Sequence, residues 1–200
     1  MQFAKFMKEM LLATLTGCML LVGAWARQEA KESSVPSQPA TPADGHSIHV
    51  TAPHVVAGKV MGPYHHYCKV LSPEPVIECL CYSSSDPGAR LEQVEYIIAK
   101  SITRNGAVSL ADWNRNWHDH KQEIATGRVQ VHDMPPEKAK EVADLVSTTD
   151  GIIFHVWSHE DKVPSGRVII AQSVGHVNLT ATELKHGAQE SVAAKVSAKQ

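Results

Sequence analysis

The sequence lacks an excess of positive charge. Its 200 residues include 19 Lys and Arg against 21 Asp and Glu, which gives a formal net charge of −2. Proteins that bind nucleic acids usually carry a basic patch or stripe, so this balance argues against nucleic acid as a partner. The chain also contains no Gly-x-Gly-x-x-Gly fingerprint, no phosphate-binding loop and no Gly-x-Ser-x-Gly elbow. Nucleotide binding and serine hydrolysis are therefore unsupported.

Long apolar runs are scarce as well, and the one that approaches membrane-spanning length lies at the N-terminus. Lys5 and Lys8 precede an apolar stretch over residues 10–23, and Ala24-Trp25-Ala26 follows it. A basic start, an apolar middle and a small-x-small end are typical of a secretory signal peptide. We therefore predict cleavage after Ala26 and export to a periplasm or out of the cell. No transmembrane span would remain in the mature chain.

Two other interpretations of this segment stay open. Leu15-Thr16-Gly17-Cys18 resembles a lipoprotein box, in which Cys18 would carry the lipid anchor. The apolar run continues past Cys18, however. A lipidated cysteine is more often followed by a polar linker. An uncleaved anchor helix is less favoured, because the run is shorter than the ~20 residues that a span needs.

Cysteine is also sparse, with four in the chain. If Cys18 leaves with the signal peptide, Cys68, Cys79 and Cys81 remain, which is an odd number for an oxidising compartment. One alternative is a disulfide from Cys68 to either Cys79 or Cys81, with the third thiol left free. The others are three buried, unpaired side chains or a set of metal ligands.

The chain divides into a tail, a domain and a second tail. Residues 27–53 are rich in Pro, Ser and Ala without apolar periodicity, which predicts a flexible linker. Residues 179–200 have few large apolar side chains and predict a flexible C-terminal tail. The folded domain is therefore expected over residues 54–178.

Apolar periodicity within this domain changes several times. Strands are predicted over residues 76–82, 94–98, 129–131, 152–157 and 168–171. Ser109 followed by Asp112 predicts a helix start before residues 113–117, and Pro135-Pro136 predicts a helix over residues 137–146. Strands and helices mix without β-α-β alternation, so we expect a single small α+β domain, with a mixed or antiparallel sheet and a few short helices.

Four segments carry a family resemblance. In chain order they are Tyr64-His65-His66-Tyr67-Cys68, Ser85-Asp86-Pro87-Gly88-Ala89-Arg90-Leu91, Trp117-His118-Asp119-His120 and Phe154-His155-Val156-Trp157. As an ordered set over residues 63–176, they resemble the oil-body-associated protein family, which has plant, fungal and bacterial members and no settled reaction. The family's name implies a lipid or other small apolar ligand. The signal peptide departs from the cytosolic members and suggests an exported bacterial one.

The clearest chemical signal lies among the 12 histidines. His118 and His120 share one face only where the backbone is extended, and Glu123 joins His120 if a helix begins there. A junction between a strand and a turn would thus gather two imidazoles and one carboxylate. Such a set leaves coordination positions open and suits ferrous iron or zinc.

Other histidines are candidates to complete the site. They are His65, His66 and His155. A metal-bound imidazole needs a hydrogen-bond partner for its second nitrogen, and Glu95 or Asp119 is a candidate for that role. The alternative is structural, because histidines beside tryptophans are often satisfied core residues.

Two function classes follow, and the sequence does not decide whether the protein is an enzyme. The first is a non-catalytic exported domain that binds an apolar ligand or is structural. The second is a mononuclear metal-binding protein or metal-dependent enzyme. Convergence of His118, His120, Glu123 and a histidine from another segment beside a cavity would favour the second class. The sequence does not indicate the oligomeric state.

Overall fold

A computed structural model describes residues 41, 44–158 and 160–197, with side chains described as far as residue 189. The predicted signal peptide and residues 27–40 of the predicted linker lie outside the described residues. Eight strands are present in this part of the chain: β1 Ile48–Val56, β2 Lys59–Ser72, β3 Val76–Tyr82, β4 Leu91–Ala99, β5 His118–Asp119, β6 Gln130–His132, β7 Thr149–His155 and β8 Ile169–Ser173.

The helices are mostly short. They are α1 Lys100–Ile102, which continues into a π-helical segment Thr103–Ala107, then α2 Leu110–Asn116, α3 His120–Ala125, α4 Pro136–Ser147 and α5 Ala181–Ser197. Among the described residues, no helix is both long enough and apolar enough to cross a membrane.

Six strands close into an antiparallel barrel. Its order is β1-β2-β3-β4-β7-β8, and it closes because β1 pairs with β2 on one edge and with β8 on the other. Two short strands add to it: β6 pairs with β1 beside β8, and β5 pairs with β7. Closure removes the free edges of the sheet and directs alternate side chains into one enclosed interior.

Alternation places apolar side chains in part of this interior. On β3, Ile77, Cys79 and Cys81 are 0–2% exposed, while the residues between them are half-buried. A disulfide joins Cys68 on β2 to Cys79 on β3, and Cys81 is a buried free thiol. Of the open alternatives for the cysteines, the structure contains the Cys68–Cys79 pairing.

The expected α+β class needs correction. A single small domain with several short helices is present, but its sheet is a closed antiparallel barrel and its character is nearly all-β. The sequence hides this because β2, the longest strand, contains Gly62, Pro63 and paired histidines, which do not give a clean alternating pattern.

The domain is also longer than the sequence indicated. Strand β1 begins at Ile48, within the predicted linker, and α5 occupies much of the predicted C-terminal tail. Inside the domain, the strand over residues 76–82 is confirmed to the residue. The predicted helix start is confirmed too, since the Ser109 side chain accepts a hydrogen bond from the Asp112 amide at 3.1 Å.

Candidate metal centre

The middle of the barrel is filled by ionisable side chains. His54 on β1, His66 on β2 and Glu95 on β4 point inward from neighbouring parts of the wall, and each is 1–3% exposed. They share this face with apolar neighbours because inward positions recur at every second residue of a strand.

Two further histidines enter from β5 and α3. His118 pairs with Gly151 of β7, and the chain turns into α3 directly after Asp119. Asp119 begins this helix by accepting a hydrogen bond from the Lys121 amide at 2.8 Å. The extended backbone sends Asp119 to one side and His118 and His120 to the other, as their spacing predicted.

His118, His120 and Glu95 form a tight triplet. Nε2 of His118 lies 3.3 Å from Nε2 of His120, and each of these nitrogens lies 3.2 Å from Oε1 of Glu95. Ligand atoms spaced in this way fit around one ion with metal–ligand distances of about 2.0–2.2 Å. The triplet therefore has the dimensions of a metal-coordination face.

Glu95 also belongs to a second triplet. Its other oxygen, Oε2, lies 3.3 Å from Nε2 of His66, which in turn lies 3.2 Å from Nε2 of His54. The ligand atoms of each triplet lie within 4.8 Å of one another. The Glu95 carboxylate thus lies between two pairs of imidazoles. These five side chains, His54, His66, Glu95, His118 and His120, form the cluster.

Hydrogen bonds on the outer nitrogens orient three of these rings. Nδ1 of His66 lies 3.0 Å from the Tyr64 carbonyl, which can only accept, so this nitrogen carries the proton. Nδ1 of His120 lies 3.0 Å from the Thr149 hydroxyl, whose own proton goes to the Val146 carbonyl. Nδ1 of His54 lies 2.6 Å from the Gln93 side-chain oxygen. In each neutral ring, Nε2 is left as a lone-pair donor facing the cluster.

Burial and charge set the protonation of the cluster. Burial disfavours the Glu95 carboxylate, but the imidazoles of His118, His120 and His66 outweigh it and hold its pKa well below the usual range. Burial likewise disfavours protonated His118, yet Glu95 and Glu123 raise its pKa. For His54, burial and the neighbouring His66 lower the pKa to about 3.

Glu123 lies at the margin of the first triplet. It is 4% exposed, and its Oε2 is 3.8 Å from Nε2 of His118. Within the described part of the chain, its Oε1 has no hydrogen-bond partner, and neither has Nδ1 of His118. An orphaned buried carboxylate oxygen is costly, so Oε1 of Glu123 is a further ligand atom beside the first triplet.

Gly151 makes room for the first triplet. A Cβ added at this position would lie 2.5 Å from Oε1 of Glu95 and 2.5 Å from the His118 ring. Any side chain here would displace the ligand atoms, so the close approach requires glycine.

A second layer of charge holds β5 in place. Arg104 pairs with Asp150 at 2.6 Å and with Asp119 at 2.9 Å, and Lys100 pairs with Asp119 at 2.6 Å. Burial opposes the charge on Asp119, but the two cations outweigh this effect and lower its pKa. Because Asp119 separates the two histidines of α3 and β5, this network fixes their positions.

A small cavity of about 40 Å³ adjoins the cluster. Its polar wall consists of His54, His66, Glu95, His120 and Glu123. The remaining wall is mostly aliphatic and comes from the barrel and from α3 and α4: Ile48, Val50, Ala52, Cys68, Ile77, Ile97, Ile124, Val129, Val131, Val142, Ala143, Leu145 and Val146. This volume is enough for a few water molecules.

Most of the metal ligands predicted from the sequence lie in or beside the cluster. His118, His120 and His66 lie in the cluster, and Glu123 lies beside it. His155 lies behind His54: its Nδ1 accepts a hydrogen bond from the Gln93 amide at 3.1 Å, and its Nε2 donates to Ser158.

Two other candidates differ from their predicted roles, because one lies outside the cluster and the other lies at its centre. His65 contacts His49 instead of the cluster. Glu95, predicted as a hydrogen-bond partner for an imidazole, is instead the central carboxylate. His54 is not among the predicted site residues, and the signal that points to it is the alternation of Val50, Ala52, His54 and Val56 along one strand face.

Fold and cluster together define a small closed barrel with a histidine- and carboxylate-rich interior. The chain belongs to the family described as "Protein of unknown function (DUF1264)", whose model matches residues 40–200. This family membership, with the relatives below, supports the resemblance seen in the sequence. No solved structure matches the chain.

Curated relatives carry the name oil body-associated protein. The chain is 31% identical over 94 residues to oil body-associated protein 1B of Arabidopsis thaliana, covering 46% of this chain and 37% of the relative. It is 30% identical over 105 residues to protein 1A of Zea mays, covering 51% and 42%. It is 32% identical over 105 residues to protein 2B of Zea mays, covering 51% and 40%. The alignments thus span about two fifths of each relative's length.

Proposed function

We propose that this domain binds a transition-metal ion through Glu95, His118 and His120. The observation that carries the proposal is the mutual spacing of 3.2–3.3 Å among three buried ligand atoms from β4, β5 and α3. Buried carboxylates and imidazoles that crowd together without an ion must share protons, whereas a cation satisfies all three lone pairs at once.

The donor set favours zinc or ferrous iron. Two imidazoles and one carboxylate suit both ions and leave coordination positions open. Glu123 is placed to fill one such position, and the adjoining cavity offers room for water or a small ligand at another. An ion with open positions acts as a Lewis acid or a redox centre, so the site is suited to small-molecule chemistry.

The cavity beside the cluster is too small for a lipid ligand. Pockets for drug-sized molecules have volumes of about 300–1,000 Å³, and the space beside the cluster is about 40 Å³. The names of the plant relatives refer to oil bodies, and we do not extend that association to this chain.

We also propose that the protein is exported. The Cys68–Cys79 disulfide supports this, because disulfides persist mainly in oxidising compartments. The proposal is tested by separating periplasmic and cytoplasmic fractions of a bacterium that expresses the full chain. Recovery of unprocessed, reduced protein from the cytoplasm alone would contradict it.

Metal binding is tested by loading the protein with metal and measuring the metal content per chain. Full-length protein is stripped with a chelator, loaded anaerobically with Zn²⁺ or Fe²⁺, desalted and analysed for metal per chain. We expect at least one equivalent in the wild type, and the loss of at least one equivalent in Glu95→Gln and in His118→Ala.

Matched controls are the exposed residues Glu141 and His186. Glu141→Gln and His186→Ala should keep the wild-type metal content, and circular dichroism should show that all variants fold. Negligible metal in the wild type, or equal content in every variant, would refute the proposal.

A further inference from the structure

We propose that the barrel holds two metal ions bridged by the Glu95 carboxylate, with the second ion bound by His54 and His66. This inference rests on the proposed function, since the first ion is the one held by His118 and His120. It adds a second site that lies on the opposite side of the same carboxylate.

The second site has the spacing of the first. Nε2 of His66 lies 3.2 Å from Nε2 of His54 and 3.3 Å from Oε2 of Glu95. Oε1 of the same carboxylate faces the first pair of imidazoles at 3.2 Å. A carboxylate that offers one oxygen to each of two ions is a bridge, and two-metal sites place their ions about 3.5–4 Å apart.

The outer hydrogen bonds of the second pair favour an ion between the rings. His54 gives its Nδ1 proton to Gln93, and His66 gives its Nδ1 proton to the Tyr64 carbonyl. When both rings are neutral, their Nε2 lone pairs face each other across 3.2 Å. Such lone pairs repel unless one ring takes a second proton or a cation lies between them.

Further buried groups complete the arrangement. Gln93 is fixed by His155, which is itself fixed by Ser158, so a chain of three polar residues orients the His54 ring. On the first side, the orphaned Oε1 of Glu123 supplies a second negative charge for two divalent ions. The two sites together contain four imidazoles and two carboxylates: His54, His66, His118, His120, Glu95 and Glu123.

Both sites adjoin the same cavity. Its wall contains His54 and His66 from the second site, His120 and Glu123 from the first, and the bridging Glu95. A water, a hydroxide or another small oxygen ligand in this space would reach both ions. The ligand class expected for the centre is therefore a pair of divalent transition metals with a small oxygen donor.

The test is a titration of metal-free, full-length protein with Co²⁺, followed by equilibrium dialysis and metal analysis. We expect two ions per chain in the wild type. The double variants His54→Ala/His66→Ala and His118→Ala/His120→Ala should each retain one ion, and Glu95→Gln should weaken both sites at least tenfold. Electron paramagnetic resonance of the wild type with two equivalents should show coupling between the ions, which the double variants lose.

A matched control is His49→Ala/His65→Ala, which removes two histidines from the same two strands without touching the cluster. It should retain two ions, and loss of an ion in this control would overturn the proposal. The single variant His66→Gln serves if a double variant fails to fold.

The outcomes separate this inference from the proposed function. One ion per chain, lost in His118→Ala/His120→Ala but kept in His54→Ala/His66→Ala, refutes the second site and leaves the first. No bound ion in the wild type refutes both. Two ions without magnetic coupling refute the shared bridge.

Discussion

The buried carboxylate of Asp150 gives the sharpest prediction about stability. It is fully buried and accepts four hydrogen bonds: from Thr103 at 2.6 Å, from Arg104 at 2.9 and 2.6 Å, and from Trp113 at 3.1 Å. It also lies opposite Asp119 in the pairing of β7 with β5. Asp150→Ala removes all four acceptor contacts and leaves the Arg104 guanidinium without its main partner.

The size of the effect follows from the burial of this ion pair. Removing one partner of a buried pair costs about 3–5 kcal/mol, because the remaining charge stays desolvated. In the variant, Arg104 keeps its ion pair with Asp119 at 2.9 Å. We therefore expect a loss of stability at the lower end of this range. We therefore expect Asp150→Ala to lower the free energy of unfolding by about 3 kcal/mol, a large part of the 5–15 kcal/mol typical of a domain.

The assay is urea unfolding of metal-free protein, followed by far-ultraviolet circular dichroism. The matched control is Asp144→Ala, which removes an exposed i,i+4 pair with Lys140 on α4 and should cost about 0.3–0.5 kcal/mol. If Asp150→Ala costs less than about 1 kcal/mol at an unchanged denaturant slope, the network does not hold β5 as argued.

Three further predictions concern the centre and the disulfide. Gly151→Ala should abolish metal retention, because its Cβ would lie 2.5 Å from two proposed ligands. The control Gly88→Ala, whose Cβ would have nothing within 4 Å, should bind metal as the wild type does. Equal metal binding by the two variants would contradict the packing argument. Replacing both Cys68 and Cys79 with alanine should cost about 3 kcal/mol for a sequence separation of 11, measured by urea unfolding, and should abolish sensitivity to reductant. Metal at a hundredfold excess over its dissociation constant should raise the free energy of unfolding of the wild type by about 2.7 kcal/mol. This gain should be smaller in His118→Ala. An unchanged melting temperature of the wild type would contradict metal binding by the folded state.

Local features of the site could be predicted from the sequence. The i, i+2 spacing of His118 and His120 fixes their common face once the backbone is extended, and the N-cap at Asp119 begins the helix that brings Glu123 near. These relations depend on neighbours in the chain, where alternation and capping act directly.

Non-local features could not be predicted in the same way. Glu95 reaches His118 because β4 and β5 both pair with β7, and His54 reaches His66 because β1 pairs with β2. No periodicity within a single segment encodes these pairings. The sequence does not predict the barrel for the same reason, since closure depends on β1 pairing with β8 across more than a hundred residues.

The composition of the barrel interior argues that the cluster has a purpose beyond stability. Side chains usually fill a small barrel completely, and apolar ones would do so without the desolvation cost of buried charge. Here the centre holds four imidazoles and two carboxylates, all at most 4% exposed. The disulfide and the Arg104 network stabilise the wall around them, so the fold tolerates a core that is poor for packing. The proposed cation, whose charge these donors would share, would convert that unfavourable arrangement into a favourable one.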